Sequence, residues 1–204
     1  MEEKEEKMDV TIVYIDDDKK MKNDAFLDDI EDSVNDIKFF ENPSDGLTYI
    51  KDNIDKDIVV LLDWKFNNSL MQGDKILNDI NEISTLVPVI VFTGASIDAI
   101  ETNKMFKGSA FSCVPKDVST QELTDTIRKA HDRIQNDIRF VMEKWILKHD
   151  EEKRNKPYMR SGDKVYTLND ILASIRKQDE FGKETTRGIM TLATELFTNN
   201  MRGK

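Results

Sequence analysis

Two stretches constrain this chain more than any other feature: DIVVLLD at residues 57–63 and VPVIVFT at 87–93. Both are apolar at consecutive positions, so a strand made from either buries both of its faces. Such strands belong in a sheet covered by helices on each side. Further β-rich runs lie at 10–15, 37–40 and 111–114. The gaps between them carry helical spacing. One is marked by Met21, Ala25, Phe26, Leu27 and Ile30, and a second, opened by Pro43-Ser44, by Leu47, Tyr49, Ile50 and Ile54. Ile76, Leu77, Ile80 and Ile83 mark a third, and Ile97, Ile100 and Met105 a weaker fourth. Strands alternating with helices at these distances predict βαβ units and a parallel sheet.

Beyond residue 118 the pattern changes. Ser119 and Glu122 are spaced as a capping box. Leu123, Ile127, Ala130, Ile134, Ile138, Val141 and Trp145 then recur at intervals of 4, 3, 4, 4, 3 and 4. That is two eleven-residue periods, which keep an apolar seam aligned along a nearly straight helix. The seam outruns any sheet, so its distal half is expected to stand free as a candidate coiled coil. Residues 148–156 are almost entirely polar and Pro157 follows, which places a boundary there. After it, Thr167 can cap a helix bearing Leu168, Ile171, Leu172 and Ile175. Gly182 is expected to end that helix, and Ile189, Leu192, Ala193, Leu196 and Phe197 form a second apolar face. The organisation predicted is a charged tail (1–8), an α/β domain (9–135), an extension of its last helix (136–156) and a small helical module (157–204).

Charge and composition narrow the function. Of 204 residues, 38% are hydrophobic and 34% charged, enough to bury a core, and the net charge is −10. Residues 1–155 hold 21 Lys/Arg and 34 Asp/Glu, a balance of −13, whereas 156–204 hold 9 and 6, a balance of +3. Acidity of this size argues against a chain-wide nucleic-acid surface. No run is apolar enough to span a membrane, and the charged start lacks the apolar core of a secretory signal. The single Cys113 and two histidines offer neither a disulfide nor a zinc pattern, and fit a reducing cytoplasm.

The chemistry lies at strand ends, where open parallel sheets bind ligands. The first strand ends in Asp16-Asp17-Asp18, the third in Asp63, the fourth in Thr93-Gly94 and the fifth in Pro115-Lys116. Carboxylates packed together repel unless a cation joins them, and hard oxygen donors in an open, wet site suit Mg²⁺. Asp63 would then serve as a nucleophile toward phosphorus, with the Thr93 hydroxyl and Lys116 ammonium stabilising charge.

That order resembles the receiver domain of two-component response regulators over residues 9–135. VTIVYIDDD resembles the family's first strand, with its acidic pair on Asp16 and Asp17. DIVVLLD resembles the strand that delivers the phosphoacceptor, on Asp63. VPVIVFTGA resembles the strand with the switch hydroxyl, on Thr93, and CVPKD the segment with the lysine, on Lys116. The resemblance implies a five-stranded doubly wound, flavodoxin-like α/β fold, followed here by the long helix and the helical C-terminal segment. It also implies Mg²⁺ held by Asp16, Asp17, Asp63 and the carbonyl of Lys65. A sensor histidine kinase or phosphotransfer protein is the implied donor. Such a domain is not a classical enzyme, but it promotes its own phosphorylation and dephosphorylation.

The sequence departs from the family's pattern in three places. The glycine after Asp63 comes ten residues on, at Gly73, and no Met-Pro precedes it. The usual switch aromatic is replaced by Cys113, with Phe111 two residues earlier. Pro115 precedes the lysine rather than following it. Trp64 is expected to shield the site, contact a partner or lie on the domain surface, Trp145 to pack in the helical seam, Cys113 to sit in the core and Asp18 to remain a surface acid. His131 and His149 have no role. The function expected is a cytoplasmic phosphorylation switch acting on protein–protein contacts, with self-association through the long helix and an effector of unknown identity. The alternatives are a DNA-binding regulator using the C-terminal helices and a degenerate receiver acting as a constitutive interaction module. Residues 156–204 show no nucleophile–base arrangement for an enzymatic effector.

Overall fold

The computed structural model describes residues 7–67, 71–94 and 96–202, with side chains described as far as residue 195. The chain divides into two compact units, Met1–Ile134 and Gln135–Lys204.

The first unit alternates strand and helix: β1 (Met8–Ile15), a 3-10 turn (Lys19–Asn23), α1 (Ala25–Glu31), β2 (Val34–Phe40), α2 (Pro43–Asp52), β3 (Ile58–Leu62), α3 (Gly73–Ile83), β4 (Val89–Thr93), α4 (Ala99–Lys107), β5 (Ser112–Pro115) and α5 (Thr120–Asn136). The strands form one sheet in the order β2-β1-β3-β4-β5, all parallel. β3 and β4 are buried at every position, as their unbroken apolar runs require. The core gathers Val13, Ile15, Val60, Leu62, Val89 and Val91 from the sheet with Ile50, Ile76, Leu77 and Ile80 from the helices. Local signals set the helix starts. Asn42 accepts from the Ser44 N–H with Pro43 at the first turn of α2, and Asp98 with Glu101 forms a full capping box on α4. Ser119 accepts from the Glu122 N–H, as its spacing implies. β2 begins three residues earlier than the sequence pattern suggests, and β5 lies one residue later.

The second unit contains α6 (Ile138–Leu147), the single-turn α7 (Glu151–Arg154), a hairpin of β6 (Pro157–Ser161) and β7 (Lys164–Thr167), then α8 (Leu168–Lys177) and α9 (Glu180–Arg202). Three expectations are corrected here. The apolar seam of 119–145 is not one helix: it breaks at Asp137, which is extended (φ −87°, ψ 119°) and caps α6 by accepting from the Arg139 N–H. A hairpin, turning at Gly162 with φ +59°, precedes the two C-terminal helices. Gly182 does not end α8. That helix stops at Gln178, which is left-handed (φ 51°), and Gly182 lies inside α9. A Cβ at Gly182 would collide with the Ser174 carbonyl oxygen, so this glycine permits α8 and α9 to touch. Among the described residues no helix is long and apolar enough to cross a membrane.

Candidate functional site

Strand register brings the acids together. β1 and β3 pair with Ile15 opposite Leu62, so the residues that follow them, Asp16 and Asp63, emerge side by side. The Asp63 N–H donates to the Ile15 carbonyl at 3.0 Å and locks this juxtaposition. β4 and β5 pair with Thr93 opposite Pro115, and the Lys116 N–H donates to the Thr93 carbonyl at 3.1 Å. One carboxylate oxygen from each of Asp16, Asp17 and Asp63 lies within 4.8 Å of the others. Asp16 and Asp63 are 1% and 5% exposed, while Asp17 is half-buried and gives the cluster its opening. Lys116 Nζ lies 2.6 Å from Asp16 Oδ2 and 3.3 Å from Asp63 Oδ1. The buried Thr93 hydroxyl hydrogen-bonds Asp63. Asp16, Asp17, Asp63, Thr93 and Lys116 thus converge as their strand-end positions imply.

Electrostatics follow from that crowding. Burial pushes the Asp63 carboxyl above its ordinary range, and the charge of Asp16 adds to the push against Lys116 and Thr93. Burial pulls the Lys116 ammonium down, but its hydrogen bond to Asp16 and the charges of Asp63 and Asp16 outweigh it and hold it above its usual value. Three carboxylates facing one ammonium leave an excess of negative charge lined with hard oxygen donors. That donor set fits Mg²⁺.

Phe66 and Asn67, which follow Asp63, are held by contacts that the sequence pattern did not disclose. The Gln72 side chain clasps the backbone of Phe66, donating to its carbonyl at 2.9 Å and accepting from its N–H at 3.3 Å. The Asn67 N–H donates to Asp17 Oδ2 at 2.8 Å. The Lys65 side chain pairs with Glu101 of α4, so its ammonium is engaged outside the acid cluster. Trp64 is 3% exposed and packs in the core with Phe66 rather than resting on the surface. Gly73 makes this possible: a Cβ there would lie 2.6 Å from a Trp64 ring carbon. The displaced glycine of the sequence is therefore the seat of a buried tryptophan.

Tyr14 is a second contributor that sequence reasoning missed. It is fully buried, and its hydroxyl donates to Asp16 Oδ2 at 2.6 Å. Burial and the adjacent carboxylate hold the phenol far above its ordinary pKa, so it stays a donor. Other assignments change. Cys113 is exposed rather than in the core, because β5 is an edge strand with one face open. Phe111 lies under the Arg133 guanidinium, 5.8 Å from its ring centre. Asp18 accepts from the Lys20 N–H at the start of the 3-10 turn and stays out of the acid set. Trp145 is 45% exposed. His131 Nε2 lies 3.5 Å from the buried Asp57, and His149 Nδ1 lies 3.1 Å from the Trp145 carbonyl oxygen. In the second unit, a cavity of about 690 Å³ is walled by Met142, Trp145, Ile146, Ile171, Phe181 and Ile189.

The first unit has the fold of response regulator receiver domains, five parallel strands in the order β2-β1-β3-β4-β5 with helices. Solved structures agree. A response regulator receiver domain protein from Clostridium thermocellum is 28% identical, with 62% of this chain and 97% of that one covered and a TM-score of 0.54. A CheY-like receiver domain protein from Methanospirillum hungatei shares the fold at 18% identity, 61% and 95% coverage and a TM-score of 0.54. The signal receiver domain of a LuxO repressor protein from Vibrio parahaemolyticus does so at 18%, 61% and 92%, and 0.53. No family model and no curated protein sequence matches the chain.

Proposed function

We propose that this chain is a phosphorylation-dependent signalling switch in which Asp63 accepts a phosphoryl group from a histidine kinase or phosphotransfer protein. The observation that carries the reading is the convergence of Asp16, Asp17 and Asp63 with Lys116 and Thr93 at one sheet edge. An Asp63 carboxylate oxygen supplies the electron pair for a new P–O bond. The N–P bond of a phosphohistidine breaks, and its electron pair returns to the imidazole, which takes a proton from water. Lys116 already contacts Asp63 and is placed to hold an oxygen of the transferred group. Thr93 turns its hydroxyl toward the same oxygens. Asp16, Asp17, Asp63 and the Lys65 carbonyl would hold Mg²⁺, which would supply charge neutralisation on the phosphoryl oxygens.

The switch acts on α4, β5 and α5, which follow Thr93 and flank Lys116. Ile100 and Phe106 of α4, at 70% and 76% exposed, supply apolar contact area for a protein partner. The exposed Val141, Trp145, Ile189 and Leu192 of the second unit favour self-association or an effector protein over nucleic acid as its contact. The cytoplasm, where histidine kinases deliver phosphoryl groups, is the compartment that fits this chemistry. Incubation with acetyl phosphate and Mg²⁺ followed by intact mass measurement tests the reading. One phosphoryl group should be gained, and the gain should vanish in Asp63→Ala and weaken without metal. No gain from acetyl phosphate or phosphorylated kinase would leave a degenerate interaction module in its place.

A further inference from the structure

Two glycines lie inside α9, and they differ. Gly182 is buried against the Ser174 carbonyl of α8, which leaves no room for a side chain. Gly188 has no such neighbour. Among the described residues, nothing outside its own helix backbone lies within 4 Å of the place its Cβ would take, and its φ is not positive. A glycine in mid-helix weakens the helix relative to alanine. Neither packing within the unit nor backbone geometry calls for one at 188.

Gly188 lies in the wall of the apolar cavity, together with Thr185, Ile189 and Leu192. Their spacing puts all four on one face of α9. Residues 187–192 are exposed without exception, Ile189 at 37% and Leu192 at 60%. A helical segment with no tertiary packing is marginal in water, so this face calls for cover. The order of side chains on it indicates what covers it. The smaller Thr185 and Gly188 come before the midpoint between 188 and 189, and the larger Ile189 and Leu192 follow at mirrored distances. When the face runs antiparallel to a copy of itself about that midpoint, Ile189 enters the notch at Gly188 and Leu192 lies against Thr185, twice over. Small meets large at each position, as interdigitated packing across a two-fold axis requires. The flanking positions pair Glu184 with Ala193, so no like charges meet there.

We propose that the second unit is a dimerisation module whose partner is a second copy of this chain, with the two α9 helices crossing antiparallel at Gly188. Val141, Trp145 and Tyr158, at 51%, 45% and 56% exposed, line the same cavity and extend the contact. Covering the exposed parts of these three with Ile189 and Leu192 in both copies removes on the order of 1,000 Å² from water, the size at which specific interfaces begin. This rests on the reading that the second unit meets protein rather than nucleic acid. It does not draw on phosphorylation of Asp63.

Sedimentation velocity of the full chain, without any phosphoryl donor, reads the association. The wild type should pass from monomer to dimer as its concentration rises. Leu192→Glu puts a charge into the contact and Gly188→Leu fills the notch, and each should weaken the dimer by roughly tenfold or more. Both positions are exposed, so circular dichroism should show either variant as helical as the wild-type monomer. Met190→Glu, on the opposite face of α9, should leave the association unchanged. A wild-type chain that stays monomeric at every accessible concentration would overturn the proposal. So would a dimer indifferent to both Leu192→Glu and Gly188→Leu, or one weakened as much by Met190→Glu. Failure of Asp63 to gain a phosphoryl group would sink the phosphorylation reading and leave this dimer standing, whereas a monomer that gains one would do the reverse.

Discussion

Asp63 and Glu143 are both buried carboxylates, yet their surroundings are opposite. Asp63 shares its site with Asp16 and Asp17 against, among the described residues, the ammonium of Lys116. Glu143, on α6 of the second unit, faces one cation: Arg176 Nε lies 2.6 Å from its Oε1. Burial pushes both acids above their ordinary range, and in each case a cation pulls back. The first site is unbalanced and needs another positive charge; the second is matched one to one. An unbalanced cluster at strand ends favours a cation, which would supply the missing positive charge. A charge-matched pair inside a helical unit ties α6 to α8.

Removing one partner from the balanced pair should have the largest effect. Arg176→Met leaves Glu143 buried without its cation and should destabilise the second unit by about 3–5 kcal/mol. Denaturant unfolding monitored through Trp145 would read this. Replacing both residues, as in Glu143→Leu with Arg176→Met, should recover most of the loss. A double substitution as damaging as the single one would show that the pair does more than bind α6 to α8.

Lys116→Met removes the cation that contacts Asp16 and Asp63 in the unbalanced site. Loss of one preorganised charge at a reacting phosphoryl group slows transfer by roughly 10²–10³-fold, and the rate of labelling by acetyl phosphate would show it. If the comparison is right, folding is spared while transfer fails, the reverse of Arg176→Met.

Asp63→Asn probes the same imbalance through stability. The folded state raises the Asp63 pKa, with burial the chief cause. Between the ordinary carboxylate value and the raised one, the folded chain keeps a proton that the unfolded chain has lost, so stability falls as pH rises through that window. At neutral pH Asp63→Asn should therefore melt at a higher temperature than the wild type, and the gap should close at acid pH. Added Mg²⁺ should raise the wild-type midpoint more than that of the variant. A variant less stable than the wild type at neutral pH would mean that Asp63 is already balanced.

The parts of this arrangement that could be read from the sequence are those with a periodic or terminal signature. Apolar runs on β3 and β4 forced the two-sided sheet, and the polar residue ending each run marked Asp63 and Thr93. Tyr14 and Gln72 escaped because neither breaks a pattern: a tyrosine in a strand reads as core, and a loop glutamine has no period. Trp64 was misplaced because burying it depends on Gly73, nine residues away, leaving room for its ring. The hairpin of β6 and β7 was hidden by its polarity, although Ser161-Gly162-Asp163 supplied a turn signal. The break at Asp137 was hidden for another reason. α5 and α6 resume the same apolar phase on either side of it, so periodicity runs straight through the gap.

Asp137 offers the finest test of the contrast between binding site and structural pair. It too is a carboxylate beside a guanidinium, paired with Arg139 two residues on, and it accepts from the Arg139 N–H at 2.9 Å. Its carboxylate serves a local backbone need at the start of α6. Asp137→Ala should cost about 1 kcal/mol, the usual loss for an N-cap, and should leave Mg²⁺ affinity and phosphoryl transfer unchanged. Asp137→Asn keeps an accepting oxygen and should restore most of the stability. If the asparagine fails to rescue, the charge pair with Arg139 rather than the cap sustains the start of α6, and the break in the seam owes more to the ion pair than to the backbone.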